Sequence, residues 1–333
     1  MSIYYRPIIQ NDKSQPEKCV HLGNQNQWFD RVEVLERGNK PYIIPANCIP
    51  ESVKHRLTCV RRNFLFETFR KPLIMGIVNI TPDSFSDAGQ YLDVEVANKF
   101  AQEMIASGID IIDIGGESTR PGANEITPKM EIDRIEPVIK AIKRTNPDCV
   151  ISVDTRKAMV MRRVIELGVD FINDVSALNF DEESINLIAE KNVIICLMHG
   201  GLNPKVMQEN IAYDNVVLDV YDYLEENINI AISKGIRREN IVLDPGIGFA
   251  KNVEHNVSII KNASLFHSLG CPILFGVSRK KFIGHYGNQA NPMRRVPGSI
   301  AVALELVRQG VQIIRVHDAL DTRQALALWD VIL

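Results

Sequence analysis

Met75-Gly-Ile-Val-Asn-Ile-Thr-Pro-Asp-Ser-Phe-Ser-Asp-Ala-Gly89 changes character in its middle. The apolar run from Leu73 to Val78 has the length and composition of a buried strand, and the residues after it are polar and turn-forming. Pro82 has no N–H for a central strand and biases Thr81 toward extended geometry, so a loop begins near Asn79. Just past the carboxyl end of the strand the chain therefore places an amide (Asn79), a hydroxyl (Thr81) and two carboxylates (Asp83, Asp87). In open α/β sheets and in closed α/β barrels, that is the edge at which ligands bind.

The same design recurs seven more times. Asp110 to Gly115 runs into Gly116-Glu-Ser-Thr-Arg-Pro-Gly122, and Val150 to Val153 into Asp154-Thr-Arg156. Asp170 to Ile172 ends in Asn173-Asp174, Val193 to Leu197 in Met198-His-Gly200, and Ile241 to Leu243 in Asp244-Pro-Gly246. Pro272 to Val277 ends in Ser278-Arg-Lys280, and Val311 to Ile314 in Arg315-Val-His-Asp318. Between these strands lie stretches with helical spacing, predicted over 93–107, 129–145, 157–167, 181–190, 214–234, 253–267, 297–308 and 319–331. Thr127 before Pro128, Asp154-Thr155 before Lys157, and Asp181 read as helix starts. Gly108, Gly168, Gly235, Gly270 and Gly310 follow five of the helices, where a left-handed cap is expected.

Eight strand–helix units match a (β/α)8 TIM barrel in number and size. A doubly wound open sheet is the alternative. Its glycine fingerprint should follow the first strand, and none stands there; Gly246-x-Gly248 lacks the third glycine and the later acidic residue. The barrel is assigned to residues 71–333. Residues 1–70 are richer in Asn, Gln, Lys and Arg, carry two Ile-Pro steps and have no catalytic spacing. They are expected to form an N-terminal extension of short strands and a mixed segment, serving as a cap on the amino-terminal mouth of the barrel or as an oligomer contact.

Composition narrows the functional classes. Among 333 residues, 24% are charged and 45% hydrophobic, which fits an ordinary globular protein. The net charge of −3 gives no electrostatic case for nucleic acid or an anionic membrane. No apolar run approaches the roughly 20 residues that span a bilayer. Met-Ser-Ile-Tyr-Tyr-Arg6 lacks the basic start and apolar middle of a signal peptide. The six cysteines show no CxxC pair, so free thiols in a reducing compartment, the cytoplasm, are expected.

If the barrel closes, the strand-end residues Asn79, Thr119, Arg120, Asp154, Asn173, Asp244, Lys280, Arg315 and His317 converge on one mouth. Any one of them alone is more often a turn former or a surface residue; repetition at one structural position is what gives them weight. Asp154, Asn173, Asp244 and Lys280 offer donors and acceptors suited to a flat nitrogen heterocycle, whose paired N–H groups a carboxylate can accept. Asn79, Arg120, Arg315 and His317 form a cationic, oxygen-bearing set suited to phosphates. An amide oxygen together with water and phosphate oxygens suits Mg²⁺. Heterocycle, phosphate and metal together suggest ionisation of a leaving group.

These motifs resemble those of dihydropteroate synthase, from about Pro72 to Leu333. The residues carrying the resemblance are Asn79-Ile-Thr-Pro-Asp-Ser-Phe85, Asp113-Ile-Gly-Gly-Glu-Ser-Thr-Arg-Pro-Gly122, Ser152-Val-Asp-Thr155, Ile172-Asn-Asp174, Asp244-Pro-Gly-Ile-Gly-Phe249, Ser278-Arg-Lys280 and Arg315-Val-His-Asp318, all in the family's order. The resemblance implies condensation of 6-hydroxymethyl-7,8-dihydropterin diphosphate with 4-aminobenzoate to 7,8-dihydropteroate and pyrophosphate. It implies a pterin held by Asp154, Asn173, Asp244 and Lys280, flanked by Arg315 and walled by Met198 and Phe249. It further implies Mg²⁺ on Asn79, pyrophosphate on Arg120, Arg315 and His317, and Thr119 reaching substrate. The loops over 81–91 and 116–125 would close over the site, and a homodimer is implied.

The chain departs from the family pattern in its first 70 residues, an extension most single-function relatives lack, and at Lys281, where some relatives carry a small hydroxyl residue. Lys281 is expected to point toward the mouth and pair with the 4-aminobenzoate carboxylate. Two rivals remain. A pterin-binding methyltransferase would share the acidic and amide contacts but has no need of Ser-Thr-Arg-Pro, Ser-Arg-Lys or Arg-x-His, since it handles no diphosphate. A barrel that had lost catalysis should show decay in that same diphosphate set, and none is visible.

Overall fold

The computed structural model describes residues 2–23, 25–61, 65, 71–80, 90–118, 124–200 and 212–332, with the side chains of 90–93 also left aside. Eight parallel strands form one sheet: β6 (Leu73–Asn79), β7 (Ile111–Gly115), β8 (Val150–Asp154), β9 (Phe171–Asp174), β10 (Ile194–Met198), β11 (Ile241–Asp244), β12 (Leu274–Phe275) and β13 (Ile313–Val316). Each pairs with its neighbour in the chain, and β13 returns to β6, Ile313 opposite Leu73. A parallel bridge between Leu243 and Ile273 joins β11 to the approach to β12. The ring is thereby closed, and the (β/α)8 reading stands.

Alternation along each strand explains the packing. One set of residues, including Ile74, Ile112, Ile114, Val153, Ile172, Leu197, Leu243 and Ile314, faces outward into the large core shared with the helices. The alternate set, Met75, Ile111, Phe171, Ile194, Cys196, Val242, Leu274 and Ile313, forms a separate buried cluster inside the barrel. Two residues further along most of these strands the inward positions become polar. The floor of the mouth is therefore laid by the apolar set and its lining by the polar one.

The helices are α2 (Gln90–Ala106), α3 (Pro128–Thr145), α4 (Ala158–Glu166), α5 (Ser184–Lys191), α6 (Val216–Ser233), α7 (Val253–Lys261), α8 (Lys281–Tyr286), α9 (Val296–Arg308) and α10 (Ala319–Ile332). Thr127 caps α3 through Met130 N–H at 3.3 Å, as its position before Pro128 predicts. All five glycines after helices have positive φ. Asp181 opens α5 as expected, its Oδ1 accepting from the Glu183 N–H at 3.1 Å, and it has a second role: its Oδ2 accepts from the Ala158 N–H at 2.9 Å at the start of α4. Two expectations differ. The helix expected over 253–267 ends at Lys261 and continues as a fully buried 3-10 stretch, Ala263–Leu269, on which the extension packs. The six-residue α8 was not anticipated; Arg279, with φ of 58°, turns the chain into it.

The extension has β1 (Ile3–Pro7), β2 (Val20–His21), β3 (Trp28–Phe29), β4 (Arg31–Glu36), β5 (Tyr42–Pro45) and α1 (Glu51–Thr58). Strands β1, β4 and β5 form an antiparallel sheet, and Ile9, Leu22, Phe29, Val32, Ile49, Val53 and Leu57 supply a core of its own. It grips the barrel through Tyr4 Oη to Asp222 (2.9 Å), Arg37 to Asp219 and Asp222 (both 2.6 Å), and Ser264 Oγ to the Pro7 carbonyl (2.9 Å). Arg61 is buried against His267, donating to its carbonyl at 2.9 Å and meeting its Nδ1 at 2.9 Å. His267 Nε2 lies 2.8 Å from the Gln309 carbonyl, so Nε2 carries the proton and the ring is neutral; burial, then Arg61, holds its pKa well below the usual histidine value.

Candidate active site

Register brings the inward polar residues into rows. Asn79 lies opposite Gly115, Gly115 opposite Asp154, and Asp154 opposite Asn173. Met198 lies opposite Asp244. Arg315 rises from β13 and reaches across the barrel: its Nε donates to Asp113 Oδ2 at 2.6 Å, and its other end donates to Asp154 Oδ2 at 3.1 Å. Asn173 Nδ2 is 3.5 Å from the same Asp113 oxygen. One guanidinium thus ties its own strand to β7 and β8, and Asp113 carries the network on to Asn173 of β9.

The second oxygens of this group decide what the site can do. Asp113 Oδ1, Asp154 Oδ1 and Asn173 Oδ1 are all buried and have no hydrogen-bond partner among the described residues. Leaving a buried acceptor unmade costs about 1–3 kcal/mol each, a burden a fold rarely carries three times in one place without use. Together they form an acceptor-rich floor ready for a ligand that presents several N–H groups in a plane.

Electrostatics point the same way. Burial drives the Asp154 carboxyl up to about 7; Arg315 opposes this and Asp113 adds to it. Burial also raises Asp244, against the Gly246 N–H at 2.8 Å and the nearby Lys280 and Arg315. Arg315 is half-buried, and the loss of water disfavours its charge, but Asp113 and Asp154 more than offset that and its pKa is raised. Perturbed carboxylates around a fixed cation at a barrel's carboxyl face mark a functional site rather than a packing defect.

The remaining predicted residues fall into place unevenly. Lys280 extends its ammonium over the Phe249 ring, 4.4 Å from the centroid. Gly248, with φ of 83°, lets the backbone approach: a Cβ there would come 3.1 Å from Lys280 Cδ. Met198 is buried at the end of β10. His317 Nδ1 lies 3.1 Å from Ser278 Oγ, which also accepts from the His317 N–H at 3.2 Å. Lys281 is exposed, the first residue of α8. Its neighbour Arg279 turns the other way, to Asp318. Thr119 and Arg120 lie outside the described residues, as do 81–89 and 119–123 of the two expected closing loops.

Asn79 was expected to bear a metal. Its Oδ1 would be 3.1 Å from a Cβ on Gly115, so the absence of a side chain there leaves the amide oxygen uncrowded. No group of three or more His, Cys, Asp or Glu poised for a metal occurs among the described residues. A hard cation held by one amide oxygen, water and substrate phosphates fits that donor set.

Asp113 is the residue the strand-end census missed. It stands in the Asp-Ile-Gly-Gly-Glu motif without a role, yet it is fully buried and holds Arg315. Glu117 of the same motif is taken up by Lys157 (2.8 Å), Arg156 (3.3 Å) and the Ile126 N–H (2.9 Å).

A closed α/β barrel whose mouth combines buried acceptors with fixed cations defines a class of enzyme that seizes a flat heterocycle. The model for pterin-binding enzymes matches residues 75–317. The dihydropteroate synthase of Haemophilus influenzae is 43% identical over 258 residues, covering 78% of this chain and 93% of its own. Dihydropteroate synthase of Xanthomonas albilineans, solved with 4-aminobenzoic acid, superposes with a TM-score of 0.75 at 38% identity over 80% of this chain and 94% of its own. The same enzyme in complex with 7,8-dihydropteroate gives a TM-score of 0.72 at 35% identity, over 80% and 95%. The chain belongs to the pterin-binding enzymes and, within them, to the dihydropteroate synthases, transferases that join a pterin diphosphate to 4-aminobenzoate in folate biosynthesis.

Proposed function

We propose that the three unpartnered acceptors, Asp113 Oδ1, Asp154 Oδ1 and Asn173 Oδ1, receive the N–H groups of the pterin, with Asp244 and Lys280 completing its edge. Their burial without partners is the observation that carries this reading. Met198 and Phe249 wall the ring, and Arg315 flanks it while keeping Asp113 and Asp154 in place.

The reaction breaks the bond between the pterin methylene carbon and the diphosphate oxygen. Both electrons leave with pyrophosphate, which Arg120, Arg315 and His317 receive at the mouth. Asn79 would hold Mg²⁺, which would neutralise charge on the diphosphate. The methylene cation left behind is stabilised by ionised Asp154, whose preorganised charge acts where positive charge develops. The amine of 4-aminobenzoate then forms the C–N bond and loses its proton. Closure of the loops over 81–91 and 116–125 would keep water from the cation, with Thr119 reaching substrate. Lys281 at the rim takes the carboxylate of the second substrate.

In this reading the enzyme is a cytoplasmic homodimer, and its extension caps the barrel's amino-terminal side or helps join two copies. The six cysteines are all free, which suits a reducing compartment. Leu328, Val331 and Ile332 stand exposed at the end of α10, the sort of apolar surface a second copy covers. No helix among the described residues is long and apolar enough to cross a membrane. The test of the chemistry is pyrophosphate release from the pterin diphosphate, with and without 4-aminobenzoate. Release coupled to formation of dihydropteroate is expected; no release under either condition would refute the assignment of these roles.

A further inference from the structure

The turn that carries Phe249 is held from beneath by a buried amine. It runs from Gly246 to Ala250 and includes three residues of positive φ: Gly246 at 71°, Gly248 at 83° and, unusually for a residue with a side chain, Ala250 at 48°. An L-residue is strained there, so its surroundings must over-determine it. They do. The Gly248 N–H donates to Asn256 Oδ1 at 2.7 Å, and Tyr213 Oη donates to the Ala250 carbonyl at 2.9 Å. Gly246 lies so close to His199 that a Cβ would fall 1.9 Å from the His199 carbonyl oxygen.

Lys251 follows directly and folds back under this turn. Its side chain is almost wholly buried. Nζ donates to the Phe249 carbonyl at 2.9 Å and to the His199 carbonyl at 3.3 Å, and lies 2.8 Å from His199 Nδ1. No carboxylate is among these partners. The set can be satisfied in either protonation state. An ammonium donates to all three; a neutral amine donates to the two carbonyls and accepts from Nδ1–H of the other histidine tautomer. Burial lowers the amine to about 7 and holds His199 near 3, so the imidazole stays neutral and the amine can be either.

We propose that Lys251 is a positioning residue of the pterin site, which fixes the Phe249 wall, and through it Lys280, by tying the turn after β11 to the end of β10. The chain of contacts is short: Lys251 Nζ to the Phe249 carbonyl, and the Phe249 ring to the Lys280 ammonium 4.4 Å away. This rests on the placement of Phe249 and Lys280 against the pterin argued above.

The test is steady-state kinetics of the full chain with Lys251→Met, Phe249→Ala and the double variant. Lys251→Met should raise KM for the pterin diphosphate about tenfold, the size expected when such a hydrogen bond is lost. The effect of the double variant should be no greater, within about twofold, than that of the worse single variant, because residues acting through one another are not additive. Lys251→Gln keeps an amide donor for the Phe249 carbonyl and should recover part of the loss, and Lys251→Leu stands in if the methionine variant does not fold. A wild-type KM for the pterin diphosphate in Lys251→Met or Lys251→Leu, alongside a raised one in Phe249→Ala, overturns the positioning role, as does full additivity. An unchanged KM in Phe249→Ala instead overturns the placement of Phe249, and the inference with it.

Discussion

Asp154→Asn should make the protein more stable at alkaline pH while disabling it. The carboxyl of Asp154 is moved by burial from 3.8 to about 7. Its folded pKa lies above its unfolded one, so between about pH 4 and pH 7 the folded state holds a proton that the unfolded state has released. Stability therefore falls as pH rises through that window, and above it the ionised carboxylate costs the full difference. Three pH units at about 1.36 kcal/mol each is about 4 kcal/mol, taken as a ceiling. Asparagine carries no charge and escapes that cost, but it weakens the 3.1 Å bond from Arg315, returning about 1–3 kcal/mol. The variant should thus gain roughly 1–3 kcal/mol at pH 8 and lose that advantage near pH 4.5, where the wild-type carboxyl is protonated in the fold. Urea denaturation at both pH values measures it, and condensation at pH 8 should drop by about a hundredfold or more for want of charge at the cation. A variant less stable than wild type at pH 8, or one whose difference is the same at both pH values, would refute the reasoning.

Asp244→Asn should weaken pterin binding by about 1–3 kcal/mol, because an amide presents a donor where the ring needs an acceptor; calorimetry with the pterin alone reads it, and unchanged affinity removes Asp244 from the pterin edge. Turnover should stop after thorough chelation and return with Mg²⁺, since the donors proposed are oxygens; full activity without a divalent cation would sink the metal role of Asn79. Lys281→Ala should raise KM for 4-aminobenzoate on the order of tenfold and leave pterin affinity alone, the exposed site keeping the effect small; an unchanged KM returns Lys281 to the surface. Beneath the extension, His267 is held neutral well below its usual pKa, so its contribution to stability is intact above about pH 6.5 and declines as pH falls below that. His267→Gln should flatten stability against pH in that range, and an unaltered profile would clear the histidine.

The barrel was legible because its signal is local and repeated. Each strand is a short apolar run, buried on both faces, that stops at polar residues, and eight repeats leave few architectures. Where the reading slipped, tertiary contacts had overruled local pattern. Asp181 starts its own helix as its place predicts, one oxygen accepting from Glu183 N–H, but nothing local shows that the other serves Ala158 N–H, 23 residues back. The stretch after Lys261 keeps a helical apolar spacing yet tightens to a 3-10 form, since all seven of its residues are enclosed. In the extension, the strands are short and paired at a distance, and nothing local in their sequence signals that Tyr4, Arg37 and Arg61 dock onto the barrel.

The site was legible at strand ends and opaque one step below them. Asp154, Asn173 and Asp244 close their strands and so stand out against the apolar run before them. Asp113 does not: it lies mid-strand in Ile111-Ile112-Asp113-Ile114, where the eye runs on to Gly115. Alternation would have found it. If Ile112 and Ile114 face the helices, then Ile111, Asp113 and Gly115 face the barrel interior, and a carboxylate there must have a partner or a ligand. The partner is Arg315, for which the sequence suggests phosphate and, by resemblance, the pterin, but not a second carboxylate below them. Because Arg315 donates to both Asp113 and Asp154, the proposed mechanism has one side chain serve both halves of the reaction: it would meet the leaving group and fix the carboxylate opposite the cation left behind. On that proposal an Arg315 variant should lose pterin affinity and pyrophosphate release together rather than one of them.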